Sequence, residues 1–293
     1  MFVVFGALIP LFVDLPDTIH YNTFKRQGQY LMEIRCRKKL CGGHRNLQHQ
    51  KYCMSVNGEY MEKIKYILFD CMETVVDLHR LPDLRDYASW GFDGSGVEEL
   101  WEDFDEFFRY YLLARSDLSA RLHENQEYEM SERFLHLVRL SFPDLPASRL
   151  ENTAQCLNRN YWQNYKATCY VREDVLAVLP ELAKEYRLGI VSNFMVRGGI
   201  EELLEINGVS RYFNVVVTSI TEGFRKPHPA IYMAALDRLG ARVEEAVFVG
   251  DDYVNDLVTP AELGMKPIFL DRYGKYPEVT GKISDFRELL RLL

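Results

Sequence analysis

At 293 residues, with 47% apolar and 27% charged residues, the chain is long enough to bury a sizeable core, and its balance excludes wholesale disorder. Its net charge of −8 argues against nucleic acid as a partner, because phosphate contacts need clustered Lys and Arg. No apolar run reaches the roughly 18 to 20 residues of a membrane span, so no membrane partner is expected.

The first 60 residues differ in kind from the rest. They carry eight Lys or Arg against four Asp or Glu, whereas residues 61–293 carry 27 against 39. The apolar stretch 2–13 has no basic lead and no small-residue cleavage site, which makes it a poor secretion signal. Cys36, Cys41, His44, His49 and Cys53 offer thiol and imidazole ligands for zinc, but their spacing fits no finger or ribbon, and a loose basic segment is the preferred reading. Residues 1–60 are therefore an N-terminal extension without assigned function, with Met54 and Met61 as alternative starts. The six cysteines, with Cys71, Cys156 and Cys169, are too scattered for a disulfide framework and suit a reducing cytoplasm.

Beyond Met61, the runs 64–69, 188–191, 213–218, 246–249 and 267–270 are short, apolar and rich in β-branched or aromatic residues, as strands buried on both faces are. Helical patterns such as 200–206 and 230–239 alternate with the later runs, which predicts an α/β fold with a doubly wound, Rossmann-like parallel sheet. About 100 residues separate the first two runs, far more than one crossover needs, so something is inserted. Trp101, Phe104, Phe108 and Tyr111 recur at helical steps there, and Tyr161, Trp162 and Tyr165 less regularly; such stripes are usually core. The expected organisation is a sheet-bearing core of residues 61–78 and 168–293 with a helical insertion at 79–167. A last helix over 284–293, with Ser284 as N-cap and Phe286, Leu289, Leu290 and Leu293 on one face, is expected to seal the sheet.

In a doubly wound sheet the loops after the strands share one crevice, so the residues that follow each strand belong together. The first run ends in FDCMETVVD, the second in VSNF, the third crossover holds EGFRKPHPAIY, and the fourth run ends in FVGDDYVND. This places Asp70, Ser192, Asn193, Lys226, Asp251 and Asp256 around one pocket. Singly, Asp70 suits a turn cap, Ser192 and Asn193 a loop closure, and Lys226 an exposed helix start; in this order and at strand ends, a joint chemical role outweighs those readings. Asp252 reads as an outward loop acid, and Cys71 as a small residue filling the loop.

The ordered set resembles the haloacid dehalogenase-like hydrolases over about residues 63 to 271. The resemblance implies Asp70 as nucleophile, Ser192 with Asn193 holding the transferring group, Lys226 steadying nucleophile and phosphate, and Asp251 with Asp256 holding Mg²⁺ beside Asp70 and the backbone carbonyl of Met72. The physics agrees. A carboxylate attacks without prior deprotonation, and Mg²⁺ favours the oxygen ligands whose charge one lysine cannot offset.

Phosphatases of that family usually carry a second Asp two residues after the nucleophile, and here Met72 stands in its place. Glu73 is then the nearest substitute proton carrier. The expected activity is a Mg²⁺-dependent phosphatase on a small phosphorylated metabolite, the insertion closing over the site as the family's helical cap does. Two alternatives stay open: a 2-haloacid dehalogenase, which needs no second acid, and a lapsed enzyme that binds a phosphorylated ligand without turnover.

Overall fold

The computed structural model describes residues 64–293 in full and, before them, the backbone of three strands: β1 (His20–Arg26), β2 (Gln29–Arg35) and β3 (Lys51–Met54). These three pair antiparallel in the order β1-β2-β3, within a unit, Met1–Tyr60, separate from Met61–Leu293. The apolar stretch 2–13, Met61 and the zinc candidates Cys36, Cys41, His44 and His49 lie outside the described residues. Of Cys53 only the backbone, in β3, is described.

In the second unit, β4 (Tyr66–Phe69) delivers the chain to Asp70, and β5 (Asp77–Leu78) leads it away. Four helices follow: α1 (Leu84–Phe92), α2 (Phe104–Arg121), α3 (Met130–Ser141) and α4 (Ala147–Ala167). The chain returns through β6 (Cys169–Tyr170), which pairs antiparallel with β5, so exit and re-entry are stapled side by side. Then come α5 (Glu173–Glu185), β7 (Arg187–Ser192), α6 (Gly199–Ile206), β8 (Phe213–Thr218), α7 (Ser219–Glu222), α8 (Pro229–Leu239), β9 (Ala246–Gly250), a π-helical turn at Tyr253–Val258, α9 (Thr259–Leu263), β10 (Lys266–Phe269) and α10 (Leu289–Leu292).

The core sheet is parallel throughout, in the order β10-β9-β4-β7-β8. Its central strand is therefore the one that ends at Asp70, and both neighbours, β9 and β7, end beside it. Ile67, Leu68, Phe69, Val247, Phe248 and Val249 are fully buried, because helices cover both faces of the sheet. No helix among the described residues is long and apolar enough to cross a membrane.

Two expectations about detail change. Trp101 is not part of the helical stripe: Asp103 accepts the Glu106 N–H at 2.8 Å and starts α2 at Phe104, so Trp101 precedes the helix and packs edge-on to Phe107 with centroids 5.1 Å apart. At the C-terminus Asp285, not Ser284, is the N-cap, accepting from the Arg287 N–H at 2.8 Å, while Ser284 donates to Glu288. The first turn there is 3₁₀, which aligns Phe286 with Leu289 at three-residue spacing and turns Leu290 outward. Phe286 is fully buried and stacks on Phe69 at 5.5 Å. Replacing Phe286 by Ala should lower stability by about 3–5 kcal/mol in urea unfolding, and a loss under about 1 kcal/mol would show that this end does not seal the core.

Candidate active site

Asp70 is held at the tip of β4 by its own backbone, whose N–H donates to the Val249 carbonyl at 2.9 Å. Its Oδ1 accepts from Lys226 Nζ at 2.6 Å, and the same ammonium donates to Asp256 Oδ1 at 2.7 Å. The lysine is 3% exposed and Asp256 1%. Burial opposes the lysine's charge, but Asp256 and Asp70 overcome it and hold the ammonium above its usual range. The second oxygen of Asp70 has no protein donor among the described residues.

Lys226 arrives by a loop clamped to the end of β7. Asn193 Oδ1 accepts the Lys226 N–H at 2.6 Å and its Nδ2 donates to the Lys226 carbonyl at 3.0 Å. The amide of Asn193 thus positions the lysine. Ser192 is 1% exposed, and its hydroxyl makes no hydrogen bond to the described residues.

Asp256 reaches the site from the π-helical turn, with its Oδ2 accepting the Asp252 N–H at 3.0 Å. That approach needs Gly250: a Cβ there would stand 2.4 Å from the Asp256 carboxyl carbon. Asp252 caps the turn, accepting from the Val254 and Asn255 N–H groups, and its side chain is exposed. Cys71 is fully buried, as a loop filler should be.

Asp251 completes the cluster without a cation of its own. Asp70, Asp251 and Asp256 each offer an oxygen within 4.8 Å of the others. Burial, then repulsion from Asp70 and Asp256, pushes the Asp251 carboxyl well above the usual carboxylate range. Three carboxylates around one ammonium leave a surplus of negative charge, and all their donors are hard oxygens, which fits a divalent cation such as Mg²⁺.

Met72 and Glu73 lie in the turn after Asp70, where the Glu73 N–H and the Cys71 carbonyl bond to Val76. The Met72 carbonyl accepts no hydrogen bond from the described residues. Glu73 adopts a left-handed φ of 62°, and burial, with lesser repulsion from Asp77 and Asp70, raises its carboxyl pKa. Thr74 is a residue that motif reading passes over: it is fully buried and donates to Asp251 Oδ1 at 3.3 Å. Its place four residues beyond Asp70 is the only sequence signal it carries.

A family model for haloacid dehalogenase-like hydrolases matches residues 64–264. The chain belongs to this family. As a haloacid dehalogenase-like hydrolase it is 36% identical over 218 residues to a protein named glyceraldehyde 3-phosphate phosphatase from Pyrococcus abyssi, covering 72% of this chain and 83% of the relative. It is 27% identical to the Pyrococcus furiosus protein of that name over 246 residues, covering 78% and 89%. Among solved structures, a haloacid dehalogenase-like phosphatase from Thermococcus onnurineus superposes with a TM-score of 0.55 at 25% identity, covering 78% of this chain and 97% of that one. A 2-haloacid dehalogenase from Pseudomonas syringae gives 0.62 at 19% identity over 78% and 97%, a likeness of fold.

The charge surplus generates a prediction with a definite sign. A carboxyl whose folded pKa is raised costs stability above that pKa and costs nothing below its unfolded value near 3.8. In metal-free buffer Asp251→Asn should therefore be more stable than wild type, by a margin that widens as pH rises from about 4 to 8. Millimolar Mg²⁺ should raise the wild-type Tm and leave the variant unchanged. A melt of wild type indifferent to Mg²⁺ across that range would remove the metal site.

Proposed function

We propose that this protein is a Mg²⁺-dependent phosphatase that hydrolyses small phosphorylated metabolites through an aspartyl-phosphate on Asp70. The observation that carries this reading is the arrangement of Asp70, with one oxygen fixed by Lys226 and the other open, beside Asp251, which has no cation partner among the described residues. The names of the Pyrococcus relatives support a phosphate ester as substrate. The absence of a long apolar helix among the described residues and the free thiols of Cys71, Cys156 and Cys169 are compatible with work in the cytoplasm.

A phosphoryl group facing Asp70 meets the Ser192 hydroxyl and the Lys226 ammonium. Bound by Asp70, Asp251, Asp256 and the Met72 carbonyl, Mg²⁺ would supply charge neutralisation at the phosphoryl oxygens. The open oxygen of Asp70 forms the new bond to phosphorus while the ester P–O bond breaks and its electron pair leaves with the alcohol oxygen. That oxygen needs a proton, which Met72 cannot give. Glu73 is the proposed donor, because its raised pKa keeps it protonated more often than a surface glutamate. Ionised, it then takes a proton from the water that attacks phosphorus and frees Asp70.

Placing a second carboxyl at position 72 tests this division of labour. Met72→Asp should raise turnover of alkyl phosphates by about 10²-fold or more, and raise nitrophenyl phosphate turnover less, since nitrophenolate leaves with little protonation. Glu73→Gln should depress the alkyl esters in the wild-type background. If Met72→Asp changes neither ester class and Glu73→Gln abolishes activity, Glu73 already meets the full need; if neither protein turns over any ester but both bind phosphate, the chain is a binding module.

A further inference from the structure

A cavity of about 380 Å³ lies between the helical insertion and the loop after β7. Met72, Glu73 and Asn193 are part of its wall, so it opens beside the nucleophile, and the part of a substrate that projects from the phosphoryl group enters it. The wall also includes Arg133, from α3, which is 6% exposed. Its guanidinium donates from Nη1 to the Tyr111 phenol at 2.7 Å, from Nε and Nη2 to the Tyr128 phenol, at 2.9 Å for Nε, and from Nη2 to the Met195 sulfur at 3.5 Å. All of these acceptors are neutral.

A buried cation is ordinarily paired with an acid, as Lys226 is with two. Arg133 forms no ion pair with the described residues. Because both phenols accept from it, their own protons point elsewhere, and neither finds an acceptor among the described residues. Of these two phenols Tyr128 lines the cavity, together with Arg115 and Arg225, which also form no ion pair with the described residues. The acids of the same wall are Glu73 and Glu127, and Glu127 accepts the Ser219 hydroxyl at 3.0 Å. Three arginines of the wall thus face two acids, and none of the three is ion-paired with either of them.

We infer that Arg133, with the Tyr128 hydroxyl, binds a second anionic group of the substrate, so that the preferred class is small phosphate monoesters carrying a carboxylate or another phosphate. The inference rests on the phosphatase reading above and adds to it which esters are chosen. Four of the five guanidinium N–H groups are taken up by the phenols and the Met195 sulfur, so an anion pairs with the remaining Nη1 N–H and the Tyr128 O–H, and a buried cation gains most from such a charge-assisted contact.

The test uses the full chain with Mg²⁺ and three esters: 2-phosphoglycolate, 1,3-propanediol bisphosphate and the uncharged-tail 2-hydroxyethyl phosphate. Wild type should favour at least one of the first two over the third by about tenfold or more in kcat/KM, and which one it favours distinguishes carboxylate from phosphate. Arg133→Gln should cost that ester about tenfold or more, mainly in KM, against about threefold or less for the neutral ester, with part of the preference restored in Arg133→Lys. An equal loss for all three, or a wild type that prefers the neutral ester, overturns the assignment. Should Arg133→Gln not fold, Tyr128→Phe must still raise KM selectively for the anionic ester, and a uniform effect there overturns it equally. A wild type inert toward all three esters would fail the phosphatase reading instead; calorimetric binding of phosphonoacetate against 2-hydroxyethylphosphonate then decides the subsite, tighter binding of the first that is lost in Arg133→Gln supporting it and equal binding refuting it.

Discussion

Lys226 sits where water is nearly excluded and touches two carboxylates at once, at 2.6 and 2.7 Å. In such surroundings a charge pair is far stronger than at a surface, and leaving any member unpaired is correspondingly costly. Asp70 is thereby fixed by one oxygen, with the other left without a protein donor among the described residues, and Asp256 is drawn in close enough to require a glycine at position 250. The ammonium cannot also neutralise Asp251, so the cluster keeps a negative surplus that calls for a divalent cation. The position of Asp70, the negative surplus at Asp251 and the geometry of the loop after β9 all follow from this one buried lysine.

The supports of that lysine come from several strand ends. Asn193 clamps its backbone from β7, Asp70 meets it from β4, and Asp256 from the turn beyond β9. The strand order, with β4 between β7 and β9, brings the three together. On the far side, Thr74 steadies Asp251, and the Thr74 carbonyl accepts from Arg272, itself paired with the largely buried Asp174 at 2.6 Å. The site is thus tied to the C-terminal segment as well as to its own loops.

Much of this was readable from residue order, for physical reasons. Continuous apolar runs such as YILF and AVFVG belong to strands covered on both faces, and in a parallel sheet their carboxyl ends point one way, so Asp70, Ser192 and Asp251 could be grouped without coordinates. Contacts that join distant residues with ordinary side chains left no such trace. Thr74 and Asp251 are 177 positions apart, and nothing in either neighbourhood announces the bond. Arg133 stands in the sequence as one charged residue among many, and what sets it apart, two phenols around it and no ion-paired acid, appears only in the fold. Helix ends were also poorly legible, because Ser284 and Asp285 are both capable caps and only the local 3₁₀ geometry chose between them.

The central claim is that Asp70 forms a covalent bond to the transferring phosphoryl group. Its most direct test is a single-turnover reaction of nitrophenyl phosphate with excess enzyme and Mg²⁺, quenched in acid at successive times and mapped by peptide mass spectrometry. The account predicts a phosphoryl group on the peptide that contains Asp70, rising and then decaying as free phosphate is released, and absent in Asp70→Asn. Phosphate released at the full rate with no residue modified at any time would contradict it, since water would then attack the ester directly.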